Sequence, residues 1–201
     1  MDRGSRKILQ RGLRYLIPLL LCLLFLLLSF LSPREEQAAA SGRENAPPPA
    51  VPFTRQAAEN YLALSGFALK TDGTLLYAAT IPAGTLRLEE GEGGILRSLS
   101  YEMECVGDLA GLENTPNYQR YLTAAEQDKT IVKGVYRALF SALEASVSMR
   151  STQKSTSEKK LLSCLEKERT AAYTGGGWAF SFASTDKGYI RTLTFSMAPE
   201  G

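Results

Sequence analysis

Histidine is missing from all 201 residues. Its absence removes Ser-His-Asp hydrolysis, Cys-His proteolysis and His-ligated zinc or haem from what the chain can do with its own side chains. A basic excess is missing as well. From Thr54 onward acidic and basic residues are interspersed and nearly cancel. A nucleic-acid binder carries a basic face on its folded part, so no nucleic-acid partner is expected.

Motifs for catalysis and for bound groups are also lacking. Ser151-x-x-Lys154 and Ser157-x-x-Lys160 have the spacing found in penicillin-binding enzymes, but Lys-Thr-Gly and Ser-Asp-Asn are absent and the stretch is polar throughout. Gly175-Gly176-Gly177 leads into a strand pattern, not a helix, so it lacks the helix N-terminus that phosphate binding uses and reads as a turn. Glu89, Glu90 and Glu92 sit in a glycine-rich hairpin without the EF-hand spacing, which is the pattern of solvated carboxylates. No cofactor and no metal are expected, and the chain is read as a non-enzyme.

What is present first is a membrane signal. Residues 15–31 carry no charge and are dominated by leucine. As a helix they span about 25 Å, near the lower limit for a bilayer core. Leu13 and the flanking arginine stems extend the span by snorkelling. Pro18 falls in the first turn or so, where it disrupts least. Cys22 lies inside the apolar run and reads as one more apolar side chain. Arg3, Arg6, Lys7, Arg11 and Arg14 precede the run, whereas Arg34 after it is answered by Glu35 and Glu36. The positive-inside rule therefore expects a single pass through a bacterial-type cell membrane, with residues 1–14 cytoplasmic and the C-terminal domain extracytoplasmic. The rival is a cleaved signal peptide ending at Ala38-Ala39-Ala40. The length of the apolar run and its distance from that site favour an anchor.

Residues 32–53 form a Pro/Ala-rich linker. Its proline run, Pro47-Pro48-Pro49, favours an extended, semi-rigid spacer. Residues 54–201 then read as one α+β domain of antiparallel sheet packed with helices. Thr54 is placed to cap a helix carrying Ala57, Ala58, Tyr61, Leu62 and Leu64, stopped by Gly66. Strand patterns follow at 75–81, 85–89 and 95–105, with Pro82 and the 90–94 glycine run as turns. Residues 107–123 read as loop with short helical turns. A helix over 128–146 is predicted from the stripe Ile131, Val132, Val135, Tyr136, Leu139, Phe140 and Leu143. Ser155-x-x-Glu158 has capping-box spacing ahead of a short helix with Leu161, Leu162 and Leu165. Strands near 170–174, 178–184 and 189–197 complete the chain.

Within this pattern, Gly94 to Met103 aligns without a gap on Gly188 to Met197, with Gly, Arg, Leu and Met identical. Leu86 and Leu88 fall on Phe180 and Phe182 in the same frame. The spacing predicts two pseudo-repeats, 54–103 and 155–197, each a helix plus three strands, joined by the 128–146 helix. Strand alternation then puts Leu99/Leu193, Tyr101/Phe195 and Met103/Met197 on the core face with Arg97/Arg191 at its margin. Leu96/Ile190, Ser98/Thr192 and Ser100/Thr194 take the other face.

Candidate site residues are few. Arg97, Arg191, Glu102 and Glu104 are placed at a possible interaction edge. Cys105 and Cys164 would sit in an oxidising compartment, and a disulfide closing that loop would contribute about 4 kcal/mol on the entropic model. Two separate buried thiols are the alternative. The layout of anchor, stalk and small α+β domain resembles that of membrane-anchored regulators of envelope sensor kinases in Gram-positive bacteria, and by that analogy implies a binding or regulatory role toward another membrane or envelope protein. A structural part of an envelope assembly for division, sporulation or secretion is the alternative. A wall-polymer hydrolase using paired carboxylates ranks third.

The orientation is directly testable. Protease added to intact cells is expected to remove the C-terminal domain. Protection there, with cleavage only after lysis, would reverse the topology.

Overall fold

The computed structural model describes residues 52–147 and 149–200. The expected cytoplasmic segment, transmembrane run and nearly all of the linker lie outside the described residues. Among those described, no helix is long and apolar enough to cross a membrane.

Thr54 starts the first helix as its sequence predicts: its side-chain oxygen accepts the Ala57 N–H at 3.2 Å. This helix, α1 (Arg55–Leu64), buries Ala58 and Leu62, one turn apart on a single face. It ends where Gly66 turns the chain at a φ of +83°. Three strands follow, β1 (Phe67–Leu69), β2 (Thr74–Tyr77) and β3 (Ile81–Glu90), and a 3-10 turn leads into β4 (Leu96–Val106). Two helices come next, α2 (Tyr118–Glu144) and α3 (Ser151–Glu166). The strands β5 (Thr170–Gly175), β6 (Trp178–Lys187) and β7 (Ile190–Pro199) close the fold. All seven strands form one antiparallel sheet in the order β1-β2-β3-β4-β7-β6-β5.

The architecture is α+β, as the sequence predicts, with several local departures. Pro82 lies inside β3 instead of forming a turn. β1 is a further, three-residue strand with no pattern to announce it. Helix α2 begins ten residues before the predicted 128, because its first turns overhang the core and bury nothing, so no apolar stripe marks them. Helix α3 begins at Ser151, where the Gln153 side chain accepts the Arg150 N–H at 2.7 Å. The pattern at Ser155 and Glu158 is interior to that helix.

The predicted stripe of α2 is fully inside: Ile131, Val132, Val135, Tyr136, Leu139, Phe140 and Leu143 are all buried. Tyr136 meets Phe195 edge-on at 5.6 Å and Phe182 at 6.0 Å, and Phe140 stacks on Phe180 at 5.7 Å. Helix α1 packs chiefly on α2 and β1, whereas α3 crosses β5 and β6. The predicted equivalence of these two helices is therefore not matched by equivalent stations on the sheet.

At the centre, β4 and β7 pair Leu99 with Met197, Tyr101 with Phe195, and Met103 with Leu193. The sequence offset between the two similar segments is 94 residues, from Gly94 to Gly188. Shifting one strand up and the other down by that offset returns the same pairing: Leu99–Met197 becomes Leu193–Met103. The register is thus two-fold symmetric about Tyr101–Phe195, whose rings lie 5.0 Å apart. On the flanking strands, Leu86 pairs with Tyr101 and Phe182 with Phe195. Leu86 therefore corresponds to Phe182, an offset of 96, and not to Phe180 as the ungapped frame expects.

The two extra residues sit in the β3–β4 turn, where the pairing slips from Glu89–Ser98 to Glu90–Leu96. This bulge adds Arg97 to one strand alone. It turns Leu96 into the core and Arg97 to solvent, opposite to the predicted faces. Arg191 goes the other way. It is 4% exposed, paired with Asp186 at 2.9 Å through Nη2, and it also donates to the Leu165 carbonyl at the end of α3.

Phe140 and Leu139 are both wholly buried at the middle of the joint core. Replacing either with Ala is predicted to cost about 2–5 kcal/mol in urea-melt stability. A change below about half a kcal/mol, well under that cavity cost, would show α2 to be peripheral.

Candidate functional site: the uncovered face of the sheet

The helices cover one side of the sheet, and strand alternation sends every second residue to the other. On the central strands this other side, uncovered among the described residues, is polar. On β3 it carries Thr85, Arg87 and Glu89, on β4 Ser98, Ser100, Glu102 and Glu104, and on β7 Thr192, Thr194 and Ser196. Where β3, β4 and β7 meet, Thr85, Arg87, Ser100, Glu102 and Thr194 line a cup of about 110 Å³. The register explains its composition: Arg87 lies opposite Ser100, Thr85 opposite Glu102, and Glu102 opposite Thr194. Among the described residues neither Arg87 nor Glu102 has a salt-bridge partner. One cation and one anion thus stand in a hydroxyl-lined hollow with hydrogen-bonding capacity to spare.

The symmetric register also locates the counterpart of this cup. Offsets of 94 on β4 and 96 on β3 carry Arg87 to Ala183, Thr85 to Ser181, Ser100 to Thr194, Glu102 to Ser196 and Glu104 to Ala198. There the charges are gone, and the Ser181 and Ser196 hydroxyls bond each other at 2.7 Å. The backbone is nearly the same on the two sides, but at these corresponding positions only the β3–β4 side carries charge.

Of the four residues expected at an interaction edge, none lies on an edge, because β4 and β7 are the middle of the sheet. Glu102 is in the cup and Glu104 is exposed beside it. Arg97 projects from the bulge over Gly91, where an added Cβ would come within 2.7 Å of its Nε. Arg191 is a buried structural residue. Thr85, Arg87, Ser100 and Thr194 carry no motif of their own, and only strand alternation hints at their shared face.

Cys105 and Cys164 are separate free thiols and both are buried, so the expected candidate bridge is not formed in the structure. Burial pushes the Cys105 thiol up to about 12, with the nearby Asp128 charge adding to it. Burial also raises Cys164. Neither is activated as a nucleophile. The Ser-x-x-Lys pairs do not assemble either. Lys154 bonds Ser141 Oγ at 2.7 Å and lies 3.6 Å from Glu144. Ser157 is buried against the Tyr136 hydroxyl, and Lys160 donates to the Ala172 carbonyl at 2.7 Å. A second hollow of about 480 Å³ runs along α3, lined by Arg137, Ser151, Lys154, Ser155, Glu158, Lys159 and Leu162. Arg137 clamps Glu158 there through two bonds of 2.7 and 2.9 Å, which ties α2 to α3.

At the far end of β4, the half-buried Asp128 carboxylate accepts the Val106 N–H at 2.7 Å, fastening α2 to the central strand. Among the described residues no group of three or more Cys, Asp or Glu side chains is arranged to hold a metal ion. Compared with protein-family models, curated proteins and solved structures, the chain matches none.

Two carboxylates predict opposite pH dependences. Burial raises Asp128 above the ordinary carboxylate range. Its contribution to stability is full below the unfolded value and is lost as pH rises through the raised folded value. The Arg191 hydrogen bonds hold Asp186 below that range. Its contribution is present above the unfolded value and is lost as pH falls through the lowered one. Urea melts across acidic pH should show the first loss removed by Asp128→Asn and the second removed by Asp186→Asn. Unchanged profiles in both variants would contradict these assignments.

Proposed function

We propose that this chain is a membrane-anchored, extracytoplasmic binding or regulatory module. It engages another envelope or membrane protein through the uncovered face of its sheet and catalyses no reaction. The observation that carries this reading is the one-sided cover combined with the one-sided charge. Helices close one face of a seven-stranded sheet, and the other face presents Arg87 and Glu102 without salt-bridge partners among the described residues. Polar groups held on a rigid sheet need little reordering on contact, which is what a specific protein surface requires. The anchor, its orientation and the Pro/Ala stalk are drawn from the N-terminal sequence. They would hold this face outside the membrane within reach of a neighbour in the same bilayer.

We further infer that the sheet arose by duplication of a three-stranded meander, β2-β3-β4 and β5-β6-β7. Its support is the two-fold register about Tyr101–Phe195 together with the ungapped match of Gly94–Met103 to Gly188–Met197. The helices fall outside the repeated unit, since α1 and α3 take different stations. The seam between the copies is where the charged cup lies.

Photocrosslinking in living cells tests the contact surface. A photoreactive residue in place of Ser100 or Thr194 should capture a partner, and one in place of Lys159 on the helical side should not. Arg87→Ala and Glu102→Ala should each reduce that capture without changing the urea midpoint, since both side chains are exposed. Equal capture from Lys159, or capture indifferent to both substitutions, would defeat the proposal.

A further inference from the structure

A seven-stranded open sheet has two edges, and here they differ. β1 is three residues long, too short to template much pairing. β5 offers six residues, Thr170-Ala171-Ala172-Tyr173-Thr174-Gly175, with no charge and no proline. Edge strands are ordinarily blunted by such residues, so an uncharged edge of this length is one that can pair.

The backbone groups it presents follow from its hairpin. Gly176 and Gly177 both have positive φ, +64° and +76°, and form a two-residue turn closed by Gly175 and Trp178. Alternation from that pair bonds the odd-numbered residues of β5 to β6, as the Ser184 N–H to Arg169 carbonyl bond of 2.9 Å bears out. The N–H and C=O groups of Thr170, Ala172 and Thr174 therefore point away from the sheet. Lys160 reaches over this edge from α3 and holds the Ala172 carbonyl.

We propose that β5 is a pairing edge for a second copy of this chain, joined antiparallel to the copy's β5 about a two-fold axis at Ala172. This goes beyond the binding role of the uncovered face and does not depend on it. The strand is complementary to itself in that register. Thr170 meets Thr174 of the copy on the polar face, and Ala171 meets Tyr173 on the helical face, so small opposes large. Arg169 falls opposite Gly175, so no like charges oppose one another within the paired strands. The same mode of joining is already present within the sheet, where β4 and β7 pair antiparallel about Tyr101–Phe195. Lys160 acts as a latch. Pairing must take the Ala172 carbonyl from it and bring two ammonium groups toward the axis, which keeps the association weak and adjustable.

Disulfide crosslinking of the full-length chain in its native membrane, in a Cys22→Ala background, reads the register. Cys105 and Cys164 are buried and stay silent. Ala172→Cys places two thiols across the axis at a Cα separation of about 5.5 Å, within disulfide reach. Thr170→Cys alone leaves its two copies about 14 Å apart, whereas Thr170→Cys mixed with Thr174→Cys brings them together. The expected result is dimer from Ala172→Cys and from the mixture, and none from Thr170→Cys alone. Adding Ala172→Pro should abolish the mixed crosslink while circular dichroism stays native, because that N–H serves no internal bond. Lys160→Met should raise the dimer yield, and an unchanged or lower yield would overturn the latch. No dimer from any variant, or equal dimer from Thr170→Cys alone, would overturn the pairing itself.

Discussion

The antiparallel joint between β4 and β7 is the interaction on which the rest of the domain depends. It sets Tyr101 against Phe195 at the centre of the sheet, and Tyr136 of α2 covers the Phe195 side of that pair edge-on. Each burial of an aromatic side chain here is worth about 1.5–3 kcal/mol of transfer free energy. The Tyr101 hydroxyl is not left wanting, because it donates to the Ala83 carbonyl on β3. One layer of rings thus binds the central strands and α2 into a single core, shared by the four strands on one side of the joint and the three on the other.

From that joint follows the division of labour between the two faces. The helices are apolar toward the sheet and pack on one side of it. On the other, Thr85, Arg87, Glu102 and Glu104 are exposed and the Ser and Thr residues of β4 and β7 half-buried. Thr192 Oγ1 is enclosed there without a hydrogen-bond partner among the described residues. Because the register is two-fold symmetric, the uncovered face has two comparable halves, and their side chains can be compared position by position. The half containing Ser181, Ala183 and Ser196 satisfies itself through a hydroxyl pair. The half containing Arg87 and Glu102 leaves both charges without salt-bridge partners among the described residues. The helical side differs again, since the charged residues Arg137, Glu158 and Lys154 that line its hollow are engaged in ion pairs holding α2 and α3 together.

Legibility from sequence tracked burial. The stripe of α2 and the later strands were readable because each alternates apolar and polar residues at the period of its element, and the Thr54 cap because its hydroxyl can accept a first-turn N–H. What escaped lacks that signal. The first turns of α2 bury nothing, β1 is too short to show alternation, and Pro82 sits near the start of a strand where the pattern alone gives a turn. The matching of Gly94–Met103 with Gly188–Met197 pointed to like strands but not to their pairing with each other, and a single bulge reversed the faces of Leu96 and Arg97, which no composition reveals. Glu102 is expected from sequence at a sheet edge, whereas it lies on the central strand β4 in the polar cup. Arg87, Thr85 and Thr194 become its neighbours only through strand order, which the chain's linear sequence does not display.

If the two halves share one core through β4 and β7, they cannot unfold separately. Residue-resolved amide hydrogen exchange on the full-length chain measures this directly. The account predicts that the amides of Leu99, Tyr101 and Met103 and those of Leu193, Phe195 and Met197 are the slowest, exchanging through one common global opening with the same denaturant dependence. Exchange of either set through a smaller opening that leaves the other protected would contradict it.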